Sequence, residues 1–271
     1  MEGQRVPFAC TIAGSDSGGG AGIQADLKTF AALGVWGCTV VTAVTAQNTV
    51  DVLASLTVDT HIISRQMEAV FQDFPIRAAK TGMLPDAATI RTVAEHLPPE
   101  VSLVVDPVMV ATSGRRLASP ESLSAVCAHL IPRAALITPN IPELCVLTGR
   151  KTITTTDEMI AAGQEILAMG AGAVLMKGGH LTTERSPDVF LSADEQFIID
   201  GPRYPYEVHG SGCSLAAAIT AYLVRGEALP DACREGKMFV SCAIRDAVPA
   251  LSGRRMVNPG SMISDAIPRR K

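Results

Sequence analysis

The feature that most constrains this chain is a glycine-rich turn that leads directly into an apolar helix. Residues 207–222 read Glu-Val-His-Gly-Ser-Gly-Cys-Ser-Leu-Ala-Ala-Ala-Ile-Thr-Ala-Tyr, with Cys213 on the first helical turn. The first N–H groups of a helix have no partner within the helix, and the helix dipole places partial positive charge at the same end. The turn over Gly210, Ser211 and Gly212 therefore predicts a phosphate site.

Cys213 is the candidate catalytic residue beside that phosphate site. A thiol at a helix N-terminus is expected to titrate below the ordinary cysteine pKa of about 8.5. A base next to bound phosphate indicates transfer of a phosphoryl group to a hydroxyl. The structural alternative is a helix start with a buried thiol, and the motif by itself leaves both interpretations open.

Composition narrows the function classes. The chain has 271 residues, a formal net charge of −4 and a charged fraction of 18%, so binding to nucleic acid or to an anionic membrane is not expected. No uncharged apolar run approaches the roughly 18–20 residues of a membrane span, and no signal-peptide pattern is present. The seven cysteines are scattered without a Cys-x-x-Cys pair, which favours a reducing cytoplasm.

Strand and helix patterns alternate along most of the chain. This predicts an α/β fold with a mostly parallel central sheet and helices on both faces. Strands are predicted at 8–14, 37–45 (a buried strand), 52–58, 76–81, 102–106, 134–138 and 173–177, with a hairpin over 187–200. Helices are predicted at 23–33, 61–73, 86–97, 119–130, 141–148, 156–169, 212–225 and 229–248. We expect one domain over residues 1–271, with a flexible loop at Ser15–Gly22 and a flexible tail from about residue 252.

Ligands of such a sheet bind beyond the carboxyl ends of the strands, and the chemistry-bearing residues of this chain follow predicted strands. Lys177 supplies a cation suited to phosphate charge. Asn140 and Glu143 share one face of a helix start and could hold a metal-bound water, because magnesium prefers oxygen ligands; Asp106 follows another strand. Each has a structural alternative: a surface lysine, an N-cap with a first-turn acid, and a turn-forming aspartate.

Taken in order, the motifs of this chain resemble those of the hydroxymethylpyrimidine/phosphomethylpyrimidine kinase family of thiamine biosynthesis, within the ribokinase-like fold. The resemblance covers about residues 8–250. One departure is Ser211, where the family usually has threonine; serine keeps the hydroxyl. The matching segments are Ile12–Asp26, Thr45–Thr49, Lys80–Leu84, Asp106–Met109 with Ser113-Gly114, Thr138–Glu143, Lys177–His180 and His209–Cys213.

The resemblance implies ATP-dependent phosphorylation of 4-amino-5-hydroxymethyl-2-methylpyrimidine, and then of its monophosphate to the diphosphate. It also implies that Cys213 takes the place of an aspartate base found in sugar-kinase relatives, that Mg²⁺ lies near Glu143 and Asp106, and that the protein is a homodimer. The residues expected to line the ring pocket are Gly14, Asp26, Met83 and Val110, and those expected at the ATP are Asn140, Lys177 and Lys237.

Gln47 suits an aminopyrimidine, because its amide offers one donor and one acceptor side by side. A hydroxypyridine is not excluded, so a pyridoxal-type vitamin kinase is the nearest alternative. A second is a non-catalytic pyrimidine-binding protein, against which Cys213 and Lys177 argue. A third is a Rossmann oxidoreductase: residues 20–25 match the glycine spacing, but no acidic residue closes the second strand. For His209, the pattern favours a structural role.

Overall fold

A nine-stranded sheet lies at the centre of the computed structural model, which describes residues 6–109 and 119–262. Its strands are β1 (Phe8–Asp16), β2 (Trp36–Gln47), β3 (Val52–Thr57), β4 (Ala78–Thr81), β5 (Ser102–Val105), β6 (Ala134–Ile137), β7 (Ala173–Lys177), β8 (Asp188–Ser192) and β9 (Gln196–Ile199). The spatial order is β3-β2-β1-β4-β5-β6-β7-β8-β9. The strands from β2 to β7 in this order pair in parallel, while β3, β8 and β9 pair antiparallel. The predicted mostly parallel sheet is confirmed.

Helices cover both faces of this sheet, as predicted. Those of the described residues are α1 (Gly22–Ala32), α2 (Thr60–Asp73), α3 (Ala87–His96), α4 (Pro120–Ala125), α5 (Ile141–Thr148), α6 (Thr156–Ala168), α7 (Ser211–Val224) and α8 (Leu229–Arg245). Because successive strand residues face opposite sides, the apolar strands supply two cores. Val105 and Val174 pack in one core with α2, α3, α5 and α6, while Val104 and Leu175 pack in the other with α7 and α8.

Helix α7 is buried on every side over its middle part, because all residues from 214 to 221 are buried. Small residues allow its neighbours to come close. On α8, a Cβ at Gly236 would lie only 2.8 Å from Ile219 Cγ1. A helix without a polar face is typical of the centre of a fold. This packing holds the N-terminus of α7, where the candidate site begins, in a fixed position against the sheet.

The glycine-rich segment at Ser15–Gly22 is organised around a side chain. Strand β1 continues to Asp16, whose buried carboxylate accepts hydrogen bonds from the backbone N–H groups of Gly18 (2.8 Å), Gly20 (3.1 Å) and Ala21 (2.8 Å). A short acidic side chain that bonds to its own following backbone defines a turn. The prediction of a flexible loop is therefore wrong here, because Asp16 supplies the partners that the glycine N–H groups need.

Strand β2 is longer and less buried than the strand predicted at Gly37–Thr45. Its residues alternate between buried and exposed, and Trp36 and Val44 are 58% and 50% exposed. The predicted burial is wrong because β-branched residues report a preference for strand and not how well the strand is covered. Strand β2 lies next to β3, the edge of the sheet.

A second sheet near the C-terminus was not predicted. Its strands are β10 (Val208–His209), β11 (Val248–Pro249) and β12 (Arg255–Met256), in the order β10-β12-β11. Strands of two residues show no periodicity, so the sequence contains no pattern to find them. Strand β12 and a 3₁₀ helix at Pro259–Met262 lie in the first part of the tail for which flexibility was expected. In the predicted helix 119–130, α4 is followed by a π-helical turn at Val126–Leu130.

A buried ion pair ties α1 to the centre of the sheet. Lys80 on β4 and Asp26 on α1 are both completely buried, with Lys80 Nζ 3.0 Å from Asp26 Oδ2. The Thr11 hydroxyl donates to the same oxygen at 2.6 Å. Burial raises the pKa of Asp26, although Lys80 and the Thr11 hydroxyl oppose this change, while Asp26 outweighs the burial of Lys80 and raises the pKa of that lysine. We conclude that the pair is ionised, because either charge alone would be uncompensated.

Removing one member of this pair should destabilise the fold. Lys80→Met leaves Asp26 without its cation, and we expect a loss of about 3–5 kcal/mol in the free energy of unfolding. The double variant Lys80→Met/Asp26→Asn should recover a large part of that loss, since no uncompensated charge remains. Urea denaturation of the three proteins measures both effects. Equal stability of Lys80→Met and the parent would contradict an ionised pair.

Candidate active site

The turn before α7 has a backbone shape that only glycine adopts without strain. Gly210 has a φ of 88°, and its carbonyl accepts the hydrogen bond from Ser214 N that begins the helix. A Cβ at this position would lie 1.8 Å from the carbonyl oxygen of Gly20. The turn before α7 is therefore in close contact with the glycine-rich turn after β1. Both glycine-rich segments of the chain meet at one place.

A cluster of two buried carboxylates and one partly buried lysine lies beside the start of α7. Lys177, at the end of β7, places its Nζ 2.9 Å from Asp106 Oδ1 and 3.9 Å from Glu143 Oε2. The Thr138 hydroxyl also donates to Asp106 Oδ1, at 3.2 Å. A Cβ at Gly212 would lie 3.2 Å from Lys177 Nζ. The first turn of α7 therefore closes directly onto Lys177, which is 14% exposed at its side chain and not a surface lysine.

The carboxylates of this cluster have different affinities for a proton. Burial opposes ionisation of Asp106, but Lys177 and Lys80 outweigh it and hold its pKa below the ordinary value. The pKa of Glu143 is raised to about 7, mainly by burial and in part by Asp106, while Lys177 opposes the change. One lysine does not fully neutralise two buried carboxylates, so the cluster favours an additional positive charge.

The sequence pattern at Asn140 and Glu143 forms a capping box on α5. Asn140 Oδ1 accepts from Glu143 N at 2.9 Å, and Glu143 Oε2 accepts from Asn140 N at 2.8 Å. The structural alternative for these residues is thus realised. It places Glu143 Oε2 near Lys177 at the same time, because the capping box orients the carboxylate back toward the strand end.

The pKa of the Cys213 thiol is shifted in the direction opposite to the prediction. Burial raises its pKa to about 11, and the nearby carboxylates of Asp26 and Asp106 raise it as well. Lys80 and the N–H of Gly22 act in the other direction but do not prevail. The predicted lowering is wrong, because the partial charge at a helix N-terminus is outweighed by loss of water and by two anions.

The residues expected at the substrate ring are placed by β1, β2 and the segment after β4. Met83 packs closely on Gly14 because glycine has no side chain. A Cβ at Gly14 would lie 2.4 Å from Met83 Cε. Asp26, on α1, forms the ion pair with Lys80, and its second oxygen, Oδ1, has no hydrogen-bond partner among the residues described. Val110 lies outside the described residues.

Gln47 ends β2 and is in contact with residues from both glycine-rich segments. Its Nε2 lies 3.2 Å from His209 Nε2, and its Oε1 lies 3.3 Å from Thr45 Oγ1. His209 Nε2 also lies 3.3 Å from Asp16 Oδ2. His209 thus joins the turn before α7 to the turn after β1 and to the predicted ring-binding residue.

Lys237, predicted near the nucleotide, is joined to the Lys177 segment through one carboxylate. Its Nζ lies 2.9 Å from Asp188 Oδ2, and Asp188 Oδ1 accepts from Gly178 N at 3.0 Å. The structure therefore brings Lys237 close to the loop that follows β7. Its role at the ATP stays a prediction.

Sequence reasoning missed three residues of this region: Lys80, Asp16 and the contacts of His209. A signal existed for Lys80, since a lysine in the otherwise small and buried run Ala78–Thr81 is unusual. No sequence signal indicated the role of Asp16, because the sequence of its turn does not distinguish it from a ligand-binding loop. His209 precedes the phosphate-site glycines, but its partners come from distant segments.

A model of the phosphomethylpyrimidine kinase family matches residues 16–258. The chain belongs to this family. It is 46% identical over 242 residues to the hydroxymethylpyrimidine/phosphomethylpyrimidine kinase of Rhizobium meliloti, covering 89% of this chain and 91% of the relative. The Escherichia coli protein of the same name is 43% identical over 242 residues, covering 88% and 91%. The recognition drawn from the motifs is confirmed.

Solved structures agree with this family membership. The ADP complex of Bacillus subtilis pyridoxal kinase superposes with a TM-score of 0.88 at 34% identity, over 96% of this chain and 99% of that one. The phosphomethylpyrimidine kinase of Clostridium difficile gives a TM-score of 0.78 at 44% identity, over 89% and 100%. The ribokinase-like fold and the kinase class are confirmed. No helix among residues 6–109 and 119–262 has the length and apolar character needed to cross a membrane.

The raised pKa of Cys213 can be measured by alkylation. Iodoacetamide reacts with the thiolate, so the rate at Cys213 should still increase at pH of about 9.5, where a free thiol with a pKa of about 8.5 has nearly levelled off. Mass spectrometry must map the modified site, because the chain has other cysteines. A rate that levels off at or below the free-thiol midpoint would contradict the raised pKa.

Proposed function

We propose that this kinase transfers the γ-phosphoryl group of ATP to the hydroxymethyl oxygen of 4-amino-5-hydroxymethyl-2-methylpyrimidine, and then phosphorylates the monophosphate to the diphosphate. The observation that carries the proposal is the first turn of α7 closing onto Lys177. It brings the first N–H groups of the helix, which have no partner within a helix, close to a partly buried cation, as a transferring phosphoryl group requires. The names of the relatives, hydroxymethylpyrimidine/phosphomethylpyrimidine kinase, support the substrate.

In this proposal the backbone N–H groups of Ser211, Gly212 and Cys213 hold the transferring phosphoryl group, and Lys177 offsets its charge. The substrate oxygen forms the new bond to phosphorus as the bond to the ADP oxygen breaks. The hydroxyl proton passes to the Cys213 thiolate. Because the thiol is neutral at pH 7, only a small fraction of the free protein holds the base ready. Charge neutralisation and positioning then supply most of the acceleration.

Substrate recognition in this proposal uses Gln47 for the ring edge. Its amide pairs with a ring nitrogen and the adjacent amino group of an aminopyrimidine. Gly14 lets the Met83 side chain approach the backbone of β1, and Asp26 Oδ1 is a buried acceptor that has no donor among the described residues. Val110 remains a predicted member of this pocket. For the nucleotide, Asn140, Lys177 and Lys237 remain proposed contacts.

We propose Mg²⁺ as the cofactor, near Glu143 and Asp106. The two buried carboxylates share one lysine, so their excess negative charge fits a divalent cation. The described residues contain no group of three or more metal-ligating side chains. Phosphoryl-transfer enzymes usually hold magnesium with one or two carboxylates, together with phosphate oxygens and water. The ion would neutralise phosphate charge when bound.

A second candidate function is phosphorylation of pyridoxal or a related hydroxypyridine. The observation in its favour is the close superposition on pyridoxal kinases, including a Staphylococcus aureus enzyme in complex with pyridoxal at a TM-score of 0.87 and 31% identity. The higher identity to pyrimidine kinases favours the aminopyrimidine. A non-catalytic binding protein is disfavoured, since the Lys177 cluster and Cys213 are in place.

We also propose a homodimer in a reducing, cytoplasmic compartment. The edge strand β3 supports the dimer, because Leu53 and Leu56 on it are 74% and 72% exposed and exposed apolar residues at a sheet edge favour association. Seven free cysteines support the compartment. The mass of the purified protein by sedimentation equilibrium tests the assembly.

The decisive test is ATP turnover against a panel of aminopyrimidines and hydroxypyridines. We expect the hydroxymethylpyrimidine and its monophosphate to give the highest kcat/KM. Cys213→Ala should lose at least about two orders of magnitude in turnover, by the usual range for a general base, while still binding both ligands. Cys242→Ala, also a partly exposed thiol, is the control. Cys213→Ala turnover within a few-fold of the parent would remove the thiol from the mechanism, and no aminopyrimidine turnover by the parent would reject the proposed function.

Metal dependence is tested with an isosteric variant. Glu143→Gln keeps an oxygen for the α5 cap but removes the charge, so the Mg²⁺ concentration for half-maximal turnover should rise by about 10-fold or more. Glu165→Gln, on α6 and paired with Arg150, removes a distant carboxylate and should leave it unchanged. Excess chelator should abolish turnover of the parent. Full activity in chelator would refute the role of a divalent ion.

A further inference from the structure

One ring nitrogen of His209, Nε2, lies between the carboxylate of Asp16 and the side-chain amide of Gln47, which is predicted to contact the substrate ring. His209 Nε2 lies 3.3 Å from Asp16 Oδ2 and 3.2 Å from the nearest end of the Gln47 amide. An ionised carboxylate only accepts hydrogen bonds. Asp16 is ionised, since the His209 contact and the N–H groups of Ala21 and Gly18 outweigh its burial and lower its pKa. His209 Nε2 must therefore carry a proton.

A protonated Nε2 determines which end of the Gln47 amide faces it. An N–H group cannot donate to another N–H group, so the amide oxygen of Gln47 must be the end that faces His209. The proton is then shared by two oxygens, of Asp16 and Gln47. Both distances exceed the usual 2.9 Å for N–H···O, as a three-centre hydrogen bond requires. The nitrogen and oxygen ends of an amide have nearly the same shape and are distinguished by their hydrogen-bond partners. The partners of Gln47 therefore assign its oxygen to the end that faces His209.

The other end of the amide leads to the same orientation. The Thr45 hydroxyl has one proton, and it donates to the Ser15 carbonyl at 2.9 Å. Thr45 Oγ1, 3.3 Å from the far end of the Gln47 amide, is then available as an acceptor, which suits the amide nitrogen. The Gln47 backbone is fixed separately, because Ser17 Oγ bonds to both its N–H (2.8 Å) and its carbonyl (2.7 Å).

We infer that His209 is a positioning residue that fixes the orientation of the Gln47 amide, and that this orientation selects an aminopyrimidine over a hydroxypyridine. The inference rests on the proposed function, in which Gln47 reads the ring. An aminopyrimidine presents a donor beside an acceptor in fixed order, so it pairs with one amide orientation only. The hydroxyl of a hydroxypyridine both donates and accepts, and therefore tolerates either orientation.

Calorimetry on four proteins tests this coupling: the parent, His209→Phe, Gln47→Leu and the double variant. His209→Phe should weaken aminopyrimidine binding by about 3- to 10-fold, the effect of one lost hydrogen bond, with hydroxypyridine and ATP binding within about 2-fold by the same scale. In the Gln47→Leu background the same change should have no further effect, because His209 acts through Gln47. His209→Gln, which returns an N–H donor, should restore the parent preference.

Several results would overturn the inference. One is an equal loss of aminopyrimidine affinity from His209→Phe with and without Gln47, which indicates a structural role only. Another is a matching loss of ATP affinity, which indicates a disturbed α7. If His209→Phe does not fold, ¹⁵N NMR of the parent shows whether His209 Nε2 carries a proton. The His209 signals are those that are absent from the spectrum of His209→Gln. A protonated Nε2 supports the inference and an unprotonated one refutes it. Failure of the parent to bind any aminopyrimidine rejects the proposed function instead, and the NMR result still tests the hydrogen bond.

Discussion

The ion pair between Lys177 and Asp106 is the contact on which the candidate site depends. Each residue ends a strand of the parallel sheet, and neither charge could be buried without the other. Glu143 adds a second carboxylate from the start of α5, so the cluster is short of positive charge. The first turn of α7 closes over it because Gly212 has no side chain. A bound divalent cation would supply positive charge to this cluster.

The low-polarity surroundings that strengthen the interactions of the Lys177 cluster also oppose ionisation of the Cys213 thiol. Cys213 lies on the helix turn that favours a thiolate, yet burial and the carboxylates of Asp26 and Asp106 keep it neutral. Lys80, held by Asp26, is the main opposing cation. A thiol with a high pKa gives a strong base, but it is rarely deprotonated near neutral pH. Electrostatic neutralisation and positioning are therefore expected to contribute most to catalysis.

Substrate recognition depends on how the two glycine-rich segments meet. Asp16 fills the turn after β1 with its carboxylate, Gly210 packs on the carbonyl of Gly20, and His209 links both turns to Gln47. The glycines thus serve close backbone contact within the protein, where the sequence alone allows only a flexible loop or a ligand-binding loop. In the proposed function, recognition of the ring and binding of phosphate are joined through the turn before α7.

The sequence by itself determined the α/β class, most strands and helices, and the family, because periodicity and short motifs are local properties. It also predicted a phosphate site at the glycine turn before α7, because the first N–H groups of a helix favour a bound anion. Tertiary structure decided the rest: the direction of the Cys213 pKa, the Lys80–Asp26 pair, and the small sheet around β12. These depend on desolvation and on charges brought together from distant segments, and no local pattern records which segments become neighbours.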